Sequence, residues 1–382
     1  MVRLASFNVE NLFERAKVLN AAADTAVGAT GTIAAVVLQA FADFNRLIAK
    51  REYSPADKLA ILELSATLGL LDDDESAYVI LRRNRGRLLD RRADGGQPRV
   101  QANGRADWLG WLELKTEAVN EVSTQNTARV IREVDADILV VVEAEHRTSL
   151  NRFNKQVLGP LTGAAYDHVM LIDGNDERGI DVGVMARRGC AIESMRSHVD
   201  DREAGETVFS RDCPEYLFTL PSGARLLVMA NHLKSKSARN PKDAAAAAAL
   251  RTLQAQHIRR LYDQRLAAGF DYIAVVGDLN DSPDSAPLQS LLAMGSTLTD
   301  IGSMKQYVSD GFIGTFGKCG PDNKIDYILC SPALANRVTG AGVNRSGLWG
   351  DKHVALWPRM PQLTKESEAA SDHAAIFVDL DL

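Results

Sequence analysis

The sequence predicts an α+β fold in which sheets and helices form separate layers, and three observations support this prediction. Short apolar runs are more numerous than a strict alternation of strand and helix would supply. Clearly capped helices lie between some of these runs. The 382 residues are 46% hydrophobic and 25% charged, which is typical of a globular protein and excludes collagen, disordered chains and disulfide scaffolds.

The first strand is predicted at residues 4–10. Phe7 and Val9 share one face there, while Ser6, Asn8 and Glu10 share the other, because side chains alternate along a strand. Six later apolar runs have the length and composition of strands, and they cover 138–142, 180–185, 225–230, 272–276, 327–329 and 375–378.

Capping patterns predict where several helices begin. Ser54-Pro55-Ala56-Asp57 combines an N-cap residue, a proline at the first helical position and an acid in the first turn. Asp72-x-x-Glu75 has the form of a capping box and predicts a second helix. Asn240-Pro241 begins another, which Gly269 follows as a C-cap. A further helix through 126–131 leads into the strand at 138.

Residues 15–125 differ in character, since helical periodicity predominates and neither an internal repeat nor a low-complexity linker separates them. We therefore predict one domain over 1–382, with a helical insertion over 15–125 after the first strand. A basic cluster in this segment is interpreted as a solvated helix face rather than a phosphate track, and it comprises Arg82, Arg83, Arg85, Arg87, Arg91 and Arg92.

The net charge of −6 argues against a protein that holds nucleic acid by bulk charge alone, but it is compatible with a local basic groove. No apolar run reaches the roughly 18 residues that span a bilayer, and the first residues lack a signal-peptide pattern, so no membrane anchor is expected. Four scattered cysteines without a C-x-x-C motif predict reduced thiols in a cytoplasmic protein.

Polar residues stand at the ends of the apolar runs. Glu143, Asn231-His232 and Asp278 follow their runs, whereas Asp326 and Asp372-His373 precede theirs. In a mixed or antiparallel sheet those ends meet at one rim, where carboxylates repel one another unless a cation neutralises them. Oxygen ligands favour Mg²⁺ or Mn²⁺ over zinc. Taken singly, each residue also fits a turn or an ion pair.

An ordered set of motifs follows the same positions: Ser6-Phe7-Asn8-Val9-Glu10-Asn11, Val142-Glu143, Asn231-His232-Leu233-Lys234-Ser235-Lys236, Gly277-Asp278-Leu279-Asn280-Asp281, Lys324-Ile325-Asp326-Tyr327 and Ser371-Asp372-His373. The set resembles the motif series of the endonuclease/exonuclease/phosphatase superfamily. The resemblance covers the first strand and about 126–382. It implies a four-layered α/β/β/α sandwich of two mixed sheets flanked by helices, and hydrolysis of a phosphate ester by a metal-activated water.

The resemblance also implies roles for the matched residues. The metal ligands would be Glu143, Asn8 and Asp372, with Glu10 in support. The catalytic residues would be Asp278 at the attacking water, Asn280 beside it, His373 at the scissile phosphate with Asp326 behind it, and His232 as a second histidine. From their own chemistry, Arg178, Lys234 and Lys236 are candidate phosphate contacts, since guanidinium and ammonium groups pair with phosphate oxygens.

These expectations favour a phosphodiesterase that depends on Mg²⁺, or Mn²⁺, with nucleic acid as its substrate. One alternative keeps the site and changes the substrate to an inositol phosphate, a lipid or a small phosphate ester. Another is a non-catalytic binding domain, which is disfavoured because every motif keeps a chemically competent residue. No protein partner follows from the sequence.

Overall fold

The computed structural model of the protein describes residues 1–23, 29–91, 97–163, 165–237, 239–293 and 295–382. In chain order, the strands are β1 (Val2–Leu12), β2 (Glu14–Ala16), β3 (Val79–Arg85), β4 (Leu89–Asp90), β5 (Arg99–Val100), β6 (Leu109–Leu114), β7 (Thr116–Ala118), β8 (Ile138–Ala144), β9 (His168–Leu171), β10 (Asp181–Ala186), β11 (Ala191–Arg196), β12 (Arg202–Glu203), β13 (Glu206–Thr207), β14 (Glu215–Thr219), β15 (Arg225–His232), β16 (Ile273–Asp278), β17 (Thr299–Asp300), β18 (Asp326–Cys330), β19 (Val338–Asn344) and β20 (Ala375–Leu380). The α-helices are α1 (Lys17–Ala23), α2 (Ala29–Ile48), α3 (Pro55–Thr67), α4 (Val122–Val134), α5 (Arg147–Phe153), α6 (Gly159–Thr162), α7 (Pro241–Ala267), α8 (Gln289–Leu292) and α9 (Pro332–Ala335).

The chain divides into two compact units, which we call unit 1 (Met1–Phe13 with Asn120–Leu382) and unit 2 (Glu14–Val119). The sequence predicted an insertion over 15–125, and its end falls inside α4, a helix of unit 1. The prediction of one domain over 1–382 stays a prediction.

Unit 1 contains two six-stranded sheets, each with parallel and antiparallel neighbours. Sheet 1 has the order β19-β20-β1-β8-β10-β9, and sheet 2 has the order β11-β14-β15-β16-β18-β17. In sheet 1, β1 runs parallel to β8 and antiparallel to β20. In sheet 2, β15 runs parallel to β16, which is antiparallel to β18. The prediction of two mixed sheets is therefore confirmed.

The strand alternation explains why the two sheets pack face to face. Leu4 and Val140 of sheet 1 share one buried cluster with Val228, Val276 and Ile328 of sheet 2. The opposite face of sheet 2 packs against α7 through Ile258 and Leu261. Helix α4 contacts β1, β19 and β20, while α5 contacts β8 and β9. These contacts build the α+β sandwich that the sequence predicted.

Helix α7 begins and ends where its capping residues predict. The Asn240 side chain accepts a hydrogen bond from the Asp243 backbone N–H, and Pro241 occupies the first turn. Gly269, beyond the end of the helix, has a φ of 89°, a conformation that glycine adopts without strain. The predicted helix through 126–131 is α4, and the Ser54 capping box begins α3.

Unit 2 has a hydrophobic core of its own, with Phe44, Ile61, Leu70, Val79 and Trp108 among its buried members. It combines α1, α2 and α3 with three short antiparallel pairs, β2 with β7, β3 with β6 and β4 with β5. Among the described helices of the chain, none is both long and apolar enough to cross a membrane.

Two predictions for unit 2 are wrong. No helix begins at Asp72, because the chain after α3 turns through residues 71–78 and enters β3 instead. Arg91 holds this turn by donating to the Leu70 carbonyl at 2.9 Å and to the Asp74 carboxylate at 2.7 Å. Arg82, Arg83 and Arg85 therefore lie on an exposed strand rather than a helix face, and Arg92 lies outside the described residues.

A buried histidine of unit 1 should make stability depend on pH. Both ring nitrogens of His198 contact carboxylates, Nδ1 at 2.8 Å from Asp201 Oδ2 and Nε2 at 2.9 Å from Glu215 Oε1. Burial disfavours the charged ring, but the hydrogen bonds to Glu215 and Asp201 outweigh it and raise the pKa of His198. A raised folded-state pKa stabilises the fold fully below about pH 6.5, the unfolded value, and this contribution is lost as pH rises through the folded value.

We expect the melting temperature of the wild type to fall more between pH 6 and pH 9 than that of His198→Gln, measured by calorimetry in matched buffers. His353→Gln, at an exposed loop position, serves as the control and should follow the wild type. Parallel pH dependence in the wild type and His198→Gln would refute the prediction.

Candidate active site

The strand ends of sheet 1 bring the first group of predicted site residues to one rim. Asn8 and Glu10 lie in the last part of β1, and Glu143 lies at the end of its parallel neighbour β8. Asp372 and His373 lie just before β20, one residue from its start, and β20 runs antiparallel to β1 and therefore starts at the same rim. The Ser371 hydroxyl fixes this approach, because it donates to the Asn8 carbonyl at 2.7 Å.

Sheet 2 brings the second group to the same rim. His232 ends β15, Asp278 ends β16 and Asp326 begins β18, and the register pairs His232 with Asp278 and Asp278 with Asp326. Asn280 follows Asp278 and donates from its backbone N–H to Asp278 Oδ1 at 2.8 Å. Its side-chain Nδ2 donates to the Leu233 carbonyl at 3.1 Å, and Asn280 lines the same pocket as the acids.

Asn8 connects the two groups across the gap between the sheets. Its Nδ2 donates to Glu143 Oε1 at 3.3 Å and to Asp278 Oδ2 at 3.2 Å, while its Oδ1 accepts from the Glu10 backbone N–H at 3.1 Å. His232 Nε2 lies 3.8 Å from the same two carboxylate oxygens. Two acidic oxygens from different sheets thus converge between an amide and an imidazole.

The backbone at these positions adopts a conformation that side chains other than glycine rarely take. Glu143 has a φ of 70°, Glu10 of 51° and Asn280 of 55°. Left-handed conformations at such residues are strained and persist where the surrounding structure holds them. Here the strained turns lie at the rim: Glu143 Oε2 accepts from the Asn11 backbone N–H at 3.1 Å, which fixes its carboxylate.

Asp326 and His373 form a second buried pair. His373 Nδ1 lies 2.9 Å from Asp326 Oδ2, and His373 Nε2 points back to the acids, 3.9 Å from Asp278 Oδ2 and 3.7 Å from Asp372 Oδ1. Burial opposes the charge on the ring, yet the Asp326 carboxylate outweighs it and raises the pKa of His373 to about 10. At neutral pH the ring is therefore an imidazolium whose Nε2–H faces the acids.

Burial and neighbouring negative charges raise the pKa values of several acids at the rim. Burial and the neighbouring Asp326 raise the pKa of Asp278 to about 7, although His373 partly opposes them. Burial and Asp372 raise the pKa of Glu10 to about 7, and burial raises that of Asp372 as well. His232 is the opposite case, since burial and the nearby Arg211 keep its pKa well below the usual value and leave the ring neutral.

The residues at the rim fit a hard divalent cation. Ligand atoms of Asp278, Asp326 and His373 lie within 4.8 Å of one another. The short bond between Asp326 and His373 already engages both, so the carboxylates left to face an ion are those of Glu143, Asp278 and Asp372. Ionised carboxylates that repel one another are the ligands that such an ion prefers. Asn8 presents its nitrogen to these acids, so its oxygen would reach an ion only after a flip of the amide.

The rim opens into a pocket of about 890 Å³ whose wall is basic on one side. Arg178, Lys234 and Lys236 are among the residues that line it. Arg178 is paired with Asp176 at 2.7 Å and Lys236 with Asp281 at 3.2 Å. The Arg178 side chain is 64% exposed, so its guanidinium remains accessible from the pocket.

Sequence reasoning missed Arg211, which lines the same wall. Its guanidinium is buried, donates from Nη1 to the Leu233 carbonyl at 3.1 Å and lies 3.1 Å from Asp176 at Nε. Arg211 precedes β14, which is antiparallel to β15, so its place at the rim follows from the rule that located Asp326.

Phe316 is a second pocket residue that the sequence did not reveal. Its ring lies 4.9 Å from the His373 ring with an interplanar angle of 54°. It belongs to an irregular segment before β18, where neither periodicity nor a motif draws attention to an aromatic residue.

Gly277, in β16 next to Asp278, is required by close packing. It has a φ of 131°, and a Cβ there would lie 2.0 Å from the Asn231 carbonyl oxygen of β15.

We expect Gly277→Ala to lower the free energy of unfolding by about 3 kcal/mol in urea titrations, since overpacking and backbone strain both contribute. Gly223→Ala tests the backbone alone, because φ there is 83° with open space around it. It should cost only about 1 kcal/mol, and equal losses would contradict the packing argument.

The sequence profile of the Endonuclease/Exonuclease/phosphatase family matches residues 118–373. A comparison with curated proteins gave no match. Among solved structures, a family protein from Bacteroides thetaiotaomicron is similar with 16% identity and a TM-score of 0.47, over 67% of this chain and 87% of that one. The mannosyl-6-phosphatase of the same organism has 17% identity and a TM-score of 0.47, over 68% and 91%.

Truncated TDP2 from Caenorhabditis elegans is similar with 14% identity and a TM-score of 0.44, over 67% of this chain and 88% of that one. The profile match extends over more than half of the chain and includes the site residues from Glu143 to His373. The chain therefore belongs to the endonuclease/exonuclease/phosphatase family.

Proposed function

We propose that the protein is a divalent-metal-dependent phosphodiesterase that hydrolyses nucleic acid, with Mg²⁺ or Mn²⁺ as its ion. Members of its family are phosphoric ester hydrolases. One observation carries the proposal: the Glu143 and Asp278 carboxylates, from different sheets, converge on the Nδ2 of Asn8 within 3.3 Å, beside the Asp326–His373 pair.

The pKa values of Asp278 and His373 suit them to the two proton-transfer roles in hydrolysis, proton acceptor and proton donor. A bound divalent ion would lower the pKa of a water and neutralise charge on the phosphate. Asp278, whose pKa is about 7, is suited to orient a water and take its proton near neutral pH. His373, protonated and held by Asp326, is placed to donate to a phosphate oxygen as charge develops there.

His232 and Asp372 complete this arrangement. The neutral ring of His232 lies beside the two converging carboxylates, where it can hydrogen-bond a phosphate oxygen without adding a charge. Asp372 supplies a further carboxylate 3.7 Å from His373 Nε2 and stands with Glu10 at the edge of the acidic group. We assign metal binding to Glu143 and Asp372, with Asn8 and Glu10 in support, and we assign the attacking water to Asp278.

A polymeric phosphodiester suits the pocket wall. Arg178, Arg211, Lys234 and Lys236 place four cationic groups beside the acids, more than a single phosphate needs. Basic side chains that line one pocket can contact more than one phosphate of a nucleic-acid strand. Phe316 offers an aromatic ring next to His373, and bases stack on such rings.

The test is a comparison of substrates with purified protein. Plasmid DNA, single-stranded DNA, RNA, bis(p-nitrophenyl) phosphate and p-nitrophenyl phosphate would each be incubated with Mg²⁺, Mn²⁺ or a chelator. We expect hydrolysis of the diesters with either metal and none with the chelator. Preference for the monoester would refute the phosphodiesterase assignment, and turnover of bis(p-nitrophenyl) phosphate without any attack on nucleic acid would refute the substrate assignment.

Metal binding can be followed without activity. We expect Mg²⁺ to raise the melting temperature of the wild type, because the ion relieves the repulsion among the buried acids. Glu143→Gln should lose most of this rise, whereas Glu145→Gln, two residues further along the chain, should keep it. An equal rise in both variants would contradict a site at Glu143.

A further inference from the structure

The buried guanidinium of Arg345 forms hydrogen bonds to several residues of an irregular segment, residues 310–319. Arg345 follows β19 and is 4% exposed. Its five N–H groups all find partners, which are Asp310 Oδ2 at 2.7 Å and Asp310 Oδ1 at 3.4 Å, the carbonyls of Phe312 at 3.0 Å and Gly314 at 2.7 Å, and Cys319 Sγ at 3.1 Å. The rings of Phe312 and Trp357 lie 5.8 and 5.7 Å from its Cζ.

Segment 310–319 is bonded to Asp326 itself and to the residues on either side of His373. The Thr315 hydroxyl accepts from the Asp326 backbone N–H at 3.1 Å, and the Thr315 carbonyl accepts from the Ala374 N–H at 2.7 Å. The Gly317 N–H donates to the Asp372 carbonyl at 2.9 Å. The segment thus spans the gap between the start of β18 and the approach to β20.

We propose that Arg345 is a positioning residue of the active site: through segment 310–319 it sets the distance between Asp326 and His373 and keeps Phe316 against the His373 ring. Arg345 itself contacts neither side chain of the pair. Its influence passes through Thr315 and Gly317, whose backbone and hydroxyl groups bond to residues 326, 372 and 374.

The planar fork of arginine is what this role requires. Its donors diverge in fixed directions, and here they reach a carboxylate, two carbonyls and a thiol on three sides. A lysine keeps the positive charge but places its donors on a single nitrogen, so it cannot hold these points together. Arg345→Lys therefore separates the geometric role from the charge.

A matched control exists at the far end of β1. Arg3 also forms a forked bond to a carboxylate, with distances of 2.7 and 3.0 Å to Asp379, and donates to the Val134 carbonyl at 2.8 Å. It lies 4.5 Å from the Phe377 ring. Arg3→Lys thus loses a comparable set of contacts remote from Asn8, Glu143 and the pair.

The first readout is the proton NMR signal of the His373 Nδ1–H, recorded in Mg²⁺ buffer and assigned by its loss in His373→Gln. A hydrogen bond of 2.9 Å to Asp326 protects this proton from exchange in a buried site. We expect the signal in the wild type and in Arg3→Lys. In Arg345→Lys it should be shifted or broadened, because the distance to Asp326 is no longer held.

The second readout, which rests on the proposed function, is turnover of bis(p-nitrophenyl) phosphate. We expect kcat/KM of Arg345→Lys to fall about 100-fold, the loss that follows from a displacement of roughly 1 Å in a catalytic group. Arg3→Lys should retain the wild-type value. Melting curves of all variants would show that the assay temperature lies within the folded range.

The outcomes are distinguishable. An unchanged NMR signal and unchanged kcat/KM in folded Arg345→Lys would overturn the proposal. If Arg345→Lys does not fold, Asp310→Asn is tested with the same readouts. This substitution weakens the paired bonds between Arg345 and residue 310, whose side chain is 37% exposed, and keeps the bonds of Arg345 to the Phe312 and Gly314 carbonyls. An inactive wild type would refute the proposed function, while the NMR comparison would still test Arg345.

Discussion

Asp278→Asn is expected to lower kcat for phosphodiester hydrolysis by about 1,000-fold, the range in which acid–base groups contribute. The amide keeps the shape of the side chain but removes the negative oxygen that faces Asn8, His232 and His373. It also cannot accept a proton from water. The measurement is steady-state turnover of bis(p-nitrophenyl) phosphate at saturating Mg²⁺. Asp284→Asn, exposed and six residues further on, should keep wild-type turnover.

The same substitution should not destabilise the protein when no metal is bound. The folded-state pKa of Asp278 is raised to about 7, so its charged form is disfavoured in the fold. As pH rises from the unfolded value near 4 through 7, the wild type therefore loses stability that a neutral asparagine keeps. At pH 8 with chelator, Asp278→Asn should melt at or above the wild-type temperature. A large drop in both stability and turnover would assign Asp278 a structural role instead.

His373→Gln should lower kcat by about 1,000-fold or more, because the variant loses the cationic Nε2–H that faces the acids.

A substitution of Asp326, the hydrogen-bond partner of His373, offers a sharper measurement. Asp326 raises the pKa of His373 to about 10, so wild-type activity should decline on the alkaline side only as pH approaches that value. In Asp326→Asn the largest contribution that raises the pKa of His373 is lost, although Asp278 and Asp372 still favour the charged ring, so the alkaline decline should move to lower pH.

A profile of kcat against pH from 6 to 10.5 tests this shift, with Asp322→Asn as a control carboxylate in the same stretch of chain. Identical alkaline limbs in the wild type and Asp326→Asn would show that the histidine does not depend on Asp326 for its charge.

The sequence predicted the rim more successfully than the segments between the strands. Glu143, Asp278 and His373 could be located because strand periodicity is regular, and a polar residue at the end of an apolar run must lie at a sheet edge. Tertiary register then brings together residues that are distant in the chain. The pairing of Asp278 with Asp326 shows this, since no local feature of either segment specifies it.

Other features depend on contacts that leave no periodic signal. The turn at Asp72 is stabilised by Arg91, 19 residues away, which outweighs a local capping pattern. Two of the five hydrogen bonds of Arg345 go to backbone carbonyls, which are the same for every sequence. The direction of the Asn8 amide follows from the acids around it, which the chain supplies from two other strands.

The bridge made by Asn8 has a consequence for biogenesis. Glu143 and His373 come from one layer of the sandwich, while Asp278 and Asp326 come from the other. A nascent or partly unfolded chain, in which only one layer has formed, cannot bring these four side chains together. The proposed activity would therefore begin only after both layers have folded and packed, and loss of activity on heating would report the separation of the layers.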